Sequence, residues 1–290
     1  MGKGESIARV AASYVVAVAA GSAWLYAGPD TRWLWLDGLV ADLLATLVVY
    51  AASRLHKNSS FYDAWWSVLP PLLAIYWWAE REPGADATRF WLLFLVMMLW
   101  AVRLTGNWLY SFPGLHHEDW RYGPMKESAG RLEPVVDLMA IHVIPTVQVF
   151  LGMLPVYVVT RAGHDLGWLD VVAVVVGLGA VALETVADVQ MHRFTRTKQP
   201  GQVMDQGVWS WSRHPNYFGE LGFWVSMALF GVAAGFHWWG LVGAVAMLAM
   251  FLGASIPMME KRSLERRPDY QRVVDRVSLF VPWPPRRTAG

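Results

Sequence analysis

Residues 169–191 read LDVVAVVVGLGAVALETVADVQM. A run of this length can cross the hydrocarbon core of a bilayer, which takes about 20 mostly apolar residues. Glu184 and Asp188 lie four residues apart in its second half and therefore share one helical face. Because lipid offers no hydrogen-bond partner to the backbone, such a run predicts an α-helix with a polar stripe.

Similar apolar runs recur along the 290 residues, and we predict eight candidate spans: 7–27, 35–55, 64–79, 90–110, 135–159, 169–191, 217–234 and 238–259. Only 16% of the residues are charged, against roughly a quarter in soluble domains. The 18 Trp residues are typical of membrane interfaces. We expect an all-α integral membrane protein, a bundle of seven to eight transmembrane helices, with a tight hairpin at Gly235-Phe236-His237 between the last two spans.

Cations collect in the even-numbered loops, whereas the odd-numbered loops, which include Asp30 and Arg32, are weakly charged. The cations are Arg54, Lys57, Arg121, Lys126, Arg131, Arg193, Arg196, Lys198 and Arg213, with eight more from Lys261 to Arg287 in the C-terminal tail. The positive-inside rule then predicts that both termini are cytoplasmic. The first run also has signal-peptide features, ending in small residues at 19–23, but its length favours a retained helix.

Several classes of function are excluded or disfavoured by what the sequence lacks. There is no Cys, so disulfides, thiolate catalysis and Cys-ligated metals are excluded. A net charge of +1 gives no argument for a nucleic-acid partner. Glycine-rich dinucleotide, phosphate-loop and nucleophile-elbow motifs are missing, so any nucleotide must be held by helix ends and loops of the bundle. The sequence does not reveal the oligomeric state.

Polar residues form five groups, all of which the predicted topology places on the cytoplasmic side. The first group, residues 58–63, contains Asp63 next to Trp65 and Trp66. Desolvation there would raise the pKa of Asp63 and suit it to donate a proton. The alternative is that Ser59 or Ser60 caps the next helix, with Asp63 in its first turn.

The second and third groups flank the long middle part of the chain. Residues 118–122 carry Glu118 and Arg121, and the alternative is an interfacial segment with internal ion pairs. Just upstream, Arg103 and Asn107 share a helical face. The stripe of Glu184, Asp188 and His192, followed by Arg193, could accept hydrogen bonds from a ribose or amide, or hold helices together. A metal is an alternative, but nothing completes its ligand set, and we predict none.

The fourth group is Arg213-His214-Pro215-Asn216-Tyr217-Phe218-Gly219-Glu220, which we call the octet. Pro215 suits the first turn of a helix, and Asn216 and Glu220 then face the same way. The cations just before that helix begins favour binding of a phosphate or carboxylate. The fifth group holds Glu260 and Arg262 at the end of the last span, where a basic tail bound to anionic lipid is the alternative.

These motifs resemble the steroid 5-alpha-reductase superfamily, in particular its bacterial branch. The resemblance covers about residues 58–285. The motifs that carry it are the polar residues between Glu184 and Phe194, residues 204–209, the octet, Pro268-Asp269-Tyr270, Pro282-Trp283 and residues 118–122. It implies an NADPH-dependent reductase of an enone carbon–carbon double bond, with hydride going to the β carbon while an acidic group polarises the carbonyl. It also divides the bundle into N-terminal transmembrane helices, residues 1–57, and a reductase-like membrane domain, residues 58–290.

The resemblance implies roles for particular residues. Tyr62-Asp63 stands where animal steroid reductases have a Gln-Glu pair, and Tyr110 lies two turns beyond Arg103, which stands near the position of their tyrosine. We therefore expect catalytic roles for Asp63, Tyr62 and Tyr110. The expected cofactor contacts are Glu184, Asp188, Arg193, Arg213, His214, Asn216, Tyr217, Glu220, Glu260, Arg262, Glu118 and Arg121. The substrate would be a steroid or another lipid enone, and the active site would face the cytoplasm from a bacterial inner membrane.

Two other functions remain open. Membrane methyltransferases that use S-adenosylmethionine, of the isoprenylcysteine and phospholipid type, carry an octet similar to this one and a Glu at the end of the last span, where Glu260 fits. Those enzymes usually have two consecutive Glu residues there, whereas Glu260 is followed by Lys261. A non-enzymatic role in lipid binding would predict that neither NADPH nor S-adenosylmethionine binds.

Overall fold

The computed structural model describes residues 2–29, 31–235 and 238–286, of which the parts in regular structure are helical and none is a strand. Helix accounts for 77% of the structure. The helices are α1 Lys3–Ala27, α2 Leu34–His56, α3 Trp65–Ala79, α4 Ala87–Ser111, α5 Tyr122–Ala129, α6 Glu133–Val136, α7 Ile144–Val159, α8 Trp168–Thr197, α9 Pro215–Ala233, α10 Val242–Met250, α11 Ile256–Arg266 and α12 Tyr270–Arg276. Asp30, Arg287 and the Phe236-His237 part of the predicted hairpin lie outside the described residues.

Two π-helical segments join shorter helices into long ones. Asp137–Val143 connects α6 to α7, and Phe251–Ser255 connects α10 to α11. A π segment widens the helical turn and often accompanies a functional position. In the first of them Asp137 and His142 are both buried.

All eight predicted spans are helical. Within the described residues, six helices are long and apolar enough to cross a membrane: Lys3–Ala27, Leu34–His56, Ala87–Ser111, Tyr122–Val159, Trp168–Thr197 and Val242–Arg266. The other two predicted spans are α3, with 15 residues, and α9, with 19. At 1.5 Å per residue α3 is roughly 22 Å long, shorter than the hydrocarbon core. The chain is a multi-pass membrane protein, and the count of seven to eight crossings stays a prediction.

Small residues allow the central helices to pack closely. A Cβ added to Gly219 of α9 would lie 2.4 Å from Glu184 Cγ on α8, and one added to Gly177 would lie 2.5 Å from Ser226 Oγ. Transmembrane interfaces use such residues because packing, rather than water exclusion, holds the helices together. The core beside this contact is aromatic, with Trp100 stacked on Phe223 at 4.3 Å between ring centroids.

The loops meet at two opposite ends of the bundle. At one end the Asn58 amide donates to the Leu115 carbonyl at 2.9 Å, and the Trp283 N–H donates to the Trp211 carbonyl at 2.9 Å. We call this the site end; it comprises residues 57–64, 112–121, 198–214 and the chain after α11. The opposite, far end comprises residues 28–33, 80–86 and 160–167, where the Glu82 N–H donates to the Thr160 carbonyl at 3.0 Å.

Candidate functional site

Asp63 follows a short 3₁₀ turn, Ser59–Phe61, that is fixed to the fourth connection of the chain. The Asn58 side chain accepts from the Ser60 N–H at 2.9 Å and donates to the carbonyls of Leu115 and His117. Both N–H donors and the oxygen of the Asn58 amide are therefore paired, which holds the turn in one conformation. The sequence therefore positions Asp63 through an Asx-type turn.

The Asp63 carboxyl is desolvated and hydrogen-bonded. The Tyr122 hydroxyl donates to Asp63 Oδ1 at 2.6 Å. Burial raises the pKa of Asp63 to about 7, although hydrogen bonds from Tyr122 and Ser60 oppose the shift. Helix α3 has Ala64 at its N-cap and no side-chain cap. The capping alternative for Ser59, Ser60 and Asp63 is therefore wrong, and the raised pKa is what the sequence led us to expect.

The other two expected catalytic residues lie elsewhere. The Tyr62 hydroxyl shares a hydrogen bond with Thr146 Oγ1 at 2.8 Å in the interior of the bundle, where burial raises its pKa. Tyr110 is 50% exposed, and its hydroxyl accepts a hydrogen bond from Arg196 at the end of α8. The structure thus does not bring Asp63, Tyr62 and Tyr110 into one cluster.

Residues 118–122 link Asp63 to the C-terminal part of the chain. Glu118 accepts from the Ser59 N–H and from Lys126, each at 2.6 Å. Arg121 pairs with Asp119 at 2.8 Å, so the internal ion pairs of the alternative interpretation are present. The Arg262 guanidinium lies 3.7 Å from the centroid of the Trp120 ring. The segment therefore lies between Asp63 and α11.

Arg103 on α4 is surrounded by carboxyl groups from α8 and α9. It donates to Glu184, and its Nη2 lies 2.9 Å from Asp188 Oδ2 and its Nη1 4.0 Å from Glu220 Oε2. Glu220 also accepts from the indole N–H of Trp100 at 3.0 Å and of Trp224 at 2.8 Å. We call Arg103, Glu184, Asp188 and Glu220 the Arg103 cluster.

The remainder of the α8 stripe is not part of this cluster. His192 Nε2 lies 3.3 Å from Ser111 Oγ, and Arg193 is exposed on the surface. Among the residues that the structure covers, no group of three His, Asp or Glu side chains is arranged to hold a metal ion. That no metal binds stays a prediction.

The octet joins α9 to the C-terminal segment. Helix α9 begins at Pro215, as predicted. Arg213 donates to the Val274 and Val277 carbonyls at 2.9 Å and pairs with Glu260 at 2.9 Å. Glu260 is also 2.9 Å from His214 Nε2, and it accepts from the Tyr270 hydroxyl at 2.5 Å. Glu260 therefore has protein partners, as do the octet cations.

The remaining octet residues differ in their burial and contacts. Tyr217 stacks on Phe251 at 4.8 Å and donates to Met259 Sδ at 3.1 Å. Asn216 is half-buried, while Glu220, one turn later, is fully within the Arg103 cluster.

Sequence reasoning assigned no role to several residues that hold the site together. A cation in the middle of an apolar span needs an anionic partner, so Arg103 could have been paired with the Glu184 stripe. No sequence signal connects Tyr122 to Asp63, because the two residues are 59 positions apart. Trp100 and Trp224 fall among many other Trp residues of the spans, and Tyr270 was noted only as part of a motif.

These observations define a class: a helical membrane protein whose bundle holds several buried charged groups, with the Arg103 cluster and Asp63 toward the site end. The chain belongs to the family described as Protein of unknown function (DUF1295), whose model matches residues 49–277. It is 27% identical over 278 residues, spanning 84% of this chain and 78% of the other, to Uncharacterized protein C594.04c of Schizosaccharomyces pombe. No solved structure matches. Helix α1 and most of α2 precede the matched region, and the division at residue 58 stays a prediction.

Proposed function

We propose that the protein is an NADPH-dependent reductase that reduces the carbon–carbon double bond of an apolar enone, a steroid or another membrane lipid. The observation that carries the proposal is the Asp63 carboxyl, buried at the site end and hydrogen-bonded to Tyr122 at 2.6 Å. A relation of this family to the steroid 5-alpha-reductase superfamily supports the same reaction class.

Unpaired buried polar atoms toward the site end support a dinucleotide as the ligand. Asn107 Oδ1, Trp108 Nε1, Glu184 Oε1 and Arg213 Nε are buried and have no hydrogen-bond partner among the described residues. Buried polar atoms of this kind are costly to leave unpaired, and a ligand with phosphates, hydroxyls and an amide offers both donors and acceptors. The residues that would hold NADPH are Arg193, Arg213, His214, Asn216, Tyr217 and Arg262, with Glu118, Arg121, Glu184, Asp188, Glu220 and Glu260 around them.

When bound, NADPH supplies the hydride for the β carbon of the enone. The role of Asp63 is to place a neutral acid against the carbonyl oxygen, where negative charge develops as the double bond is reduced. With a pKa of about 7, a substantial fraction of Asp63 carries the proton at neutral pH. Tyr122 fixes the orientation of the carboxyl, and the buried side chains of Phe61 and Trp65 limit access of water.

The site end would face the cytoplasm. Its loops and the chain after α11 carry nine of the 24 Lys and Arg residues of the sequence, against three in the loops of the far end, and the positive-inside rule assigns the cation-rich side to the cytoplasm. A soluble cofactor would then reach the site from the cytosol, and an apolar substrate would reach it from the bilayer.

The test is anaerobic oxidation of NADPH by the purified protein, with progesterone as acceptor and the saturated product measured by mass spectrometry. We expect wild-type protein to form the product in proportion to the NADPH consumed. Asp63→Asn should lower kcat by about 100-fold, because general-acid assistance is lost. Glu82→Gln, at the far end, is the matched control and should keep full activity.

Binding separates the proposal from its rivals. NADPH at 100-fold its Kd should stabilise both wild-type protein and Asp63→Asn by about 2.7 kcal/mol. Stabilisation by S-adenosylmethionine but not by NADPH would refute the reductase and indicate a methyltransferase. Full activity of Asp63→Asn would refute the assignment of the acid while keeping the reaction.

A further inference from the structure

A second polar–apolar site lies outside the candidate active site. A cavity of about 240 Å³ is enclosed by α1, α2 and α3 and is lined by Gly21, Ala41, Asp42, Ala45, Leu69 and Tyr76, among others. Its walls use the second half of α1, the first half of α2 and the second half of α3. It therefore lies toward the far end, whereas Asp63 precedes α3 at the site end.

Small side chains create this space. A Cβ added to Gly21 of α1 would lie 3.1 Å from the Ala41 carbonyl of α2, so the two helix backbones are close. Ser22, Gly38 and Ala45 also line the cavity and leave room between these helices and the leucines of α3. The cavity is thus a consequence of the local sequence.

The cavity opens sideways, toward where lipid would lie. Three of its lining residues are large and hydrophobic but exposed: Tyr26 by 72%, Leu72 by 45% and Ile75 by 42%. A molecule dissolved in the bilayer can therefore enter between α1 and α3 without passing through water. This route favours a ligand with an apolar body.

Asp42 supplies the one carboxyl group of the cavity lining. It is 5% exposed, and within the described part of the chain its hydrogen-bond partner is Thr46 Oγ1, at a long 3.5 Å. The ion pairs of those residues give Asp42 no cation, in contrast to Asp170 with Arg89 and Asp188 with Arg103. A carboxyl group in a membrane interior is costly unless a donor reaches it. The cavity therefore offers an acceptor that a ligand can satisfy.

We propose that this cavity binds a membrane-borne apolar alcohol whose hydroxyl group donates a hydrogen bond to Asp42. A hydroxyl group both donates and accepts, and the cavity provides the carboxyl of Asp42 and the hydroxyl of Ser22 as complementary partners. A buried carboxyl without a cationic partner is held in its neutral form, which, like an alcohol, both donates and accepts, whereas an alkylammonium group only donates. The inference goes beyond the proposed reductase activity, and most of the lining of this cavity lies before residue 49, where the family match begins.

The experiment uses the full chain in lipid nanodiscs and a diazirine-bearing derivative of 1-decanol, with the corresponding methyl ether as a probe that cannot donate. After irradiation, labelled residues are mapped by mass spectrometry. We expect the alcohol to label the cavity walls in α1, α2 and α3 about ten-fold more than the ether, the value of one hydrogen bond to a charged or polar buried group. Equal labelling by both probes would overturn the proposal.

Variants locate the site. Asp42→Leu removes the carboxyl group and replaces it with a side chain that is compatible with the apolar cavity. This variant should reduce labelling by the alcohol to the level of the ether. Asp37→Leu is the matched control, because Asp37 is on the same helix and is not among the lining residues. Unchanged labelling of Asp42→Leu would contradict the proposal.

A second pair of variants remains informative if Asp42→Leu fails to fold. Leu72→Trp narrows the mouth at a half-exposed position and should reduce labelling, whereas Leu95→Trp, 53% exposed on α4, should not. Loss of labelling in both would contradict the location. Stronger wall labelling by the corresponding decylamine probe than by the alcohol would show that the ligand is a cation and would overturn the choice of an alcohol.

Discussion

Two buried arginines of this bundle are neutralised in different ways. At the far end, Arg89 faces one carboxylate: its Nε and Nη2 lie 2.7 and 3.0 Å from the oxygens of Asp170, and its remaining donors bind the His164 and Asp165 carbonyls at 2.8 Å. Toward the site end, Arg103 faces three carboxyl groups, of Glu184, Asp188 and Glu220.

The difference separates a structural contact from a candidate binding site. The Arg89–Asp170 pair is closed, because the acid also accepts from the Gly167 N–H at 2.8 Å and fixes the start of α8. The Arg103 cluster has more acceptors than donors, and Glu184 lies against the Glu220 carboxyl, so these two acids need a proton or an added donor between them. A ligand group that brings hydrogen-bond donors, such as a ribose or an amide, would satisfy the free acceptors of the Arg103 cluster. The Arg89–Asp170 pair has no free acceptor for such a group.

The largest predicted effect is on stability and compares one acid from each arrangement. Asp170→Asn should destabilise the protein by about 3–5 kcal/mol, since it leaves a buried arginine without its counter-charge. Glu184→Gln should cost less than about 1 kcal/mol, because Asp188 still neutralises Arg103 and the new amide can donate to Glu220. Thermal unfolding in detergent, followed by Trp fluorescence, measures both.

The double variant Arg89→Met with Asp170→Leu is the control for this comparison. It removes both charges of the closed pair and should recover most of the stability lost in Asp170→Asn. If Glu184→Gln destabilises the protein as strongly as Asp170→Asn does, the Arg103 cluster is a structural pair like the first and the contrast fails.

The second prediction concerns the pH dependence that Asp63 produces. The ordinary pKa of an Asp is about 3.9, and burial raises that of Asp63 to about 7. The folded state therefore holds this proton over a wider range, and the resulting stability is complete below pH ~4 and is lost as pH rises through ~7. Proton donation follows the same group, so kcat/KM for the enone should fall about ten-fold per pH unit above ~7.

The measurement is the pH profile of NADPH oxidation beside that of thermal stability, in wild-type protein and in Asp63→Asn. The variant should show neither the alkaline loss of activity nor the loss of stability that titration of this carboxyl causes. A wild-type rate that stays constant from pH 6 to pH 9 would exclude Asp63 as the donor.

The fold was largely predictable, because the apolar runs and the alternation of loop charge follow directly from the sequence. All eight predicted spans are helical, and α9 begins at Pro215, where a proline suits the first turn. The start of α3 was not predictable: capping by Ser59 or Ser60 was a reasonable alternative, but Asn58 instead satisfies a separate turn and fixes it to Leu115.

The roles of the individual site residues stay predictions, and their arrangement could not be predicted from the sequence. The sequence placed Glu184 and Asp188 in one polar stripe and Glu220 in the octet, with no link between the two motifs. In the structure, Arg103 contacts all three acids, so that residues of three helices form one cluster. The resemblance to steroid reductases implied a catalytic role for Tyr110, yet this residue is half-exposed and its hydroxyl binds Arg196 at the end of α8. Long-range contacts of single side chains depend on how the helices are rotated, and periodicity along one helix does not determine that.

The smallest effect we predict comes from Tyr122, whose hydrogen bond lowers the pKa of Asp63 against the opposing effect of burial. Tyr122→Phe removes that bond and should raise the pKa of Asp63, moving the alkaline limb of the activity profile up by about one unit. Tyr14→Phe is the matched control, since Tyr14 donates to the Phe61 carbonyl at 2.7 Å beside the same turn without binding the carboxyl. It should lower stability and leave the limb in place. A limb that moves to lower pH in Tyr122→Phe would contradict this prediction, because it would mean that the phenol favours the protonated form of Asp63.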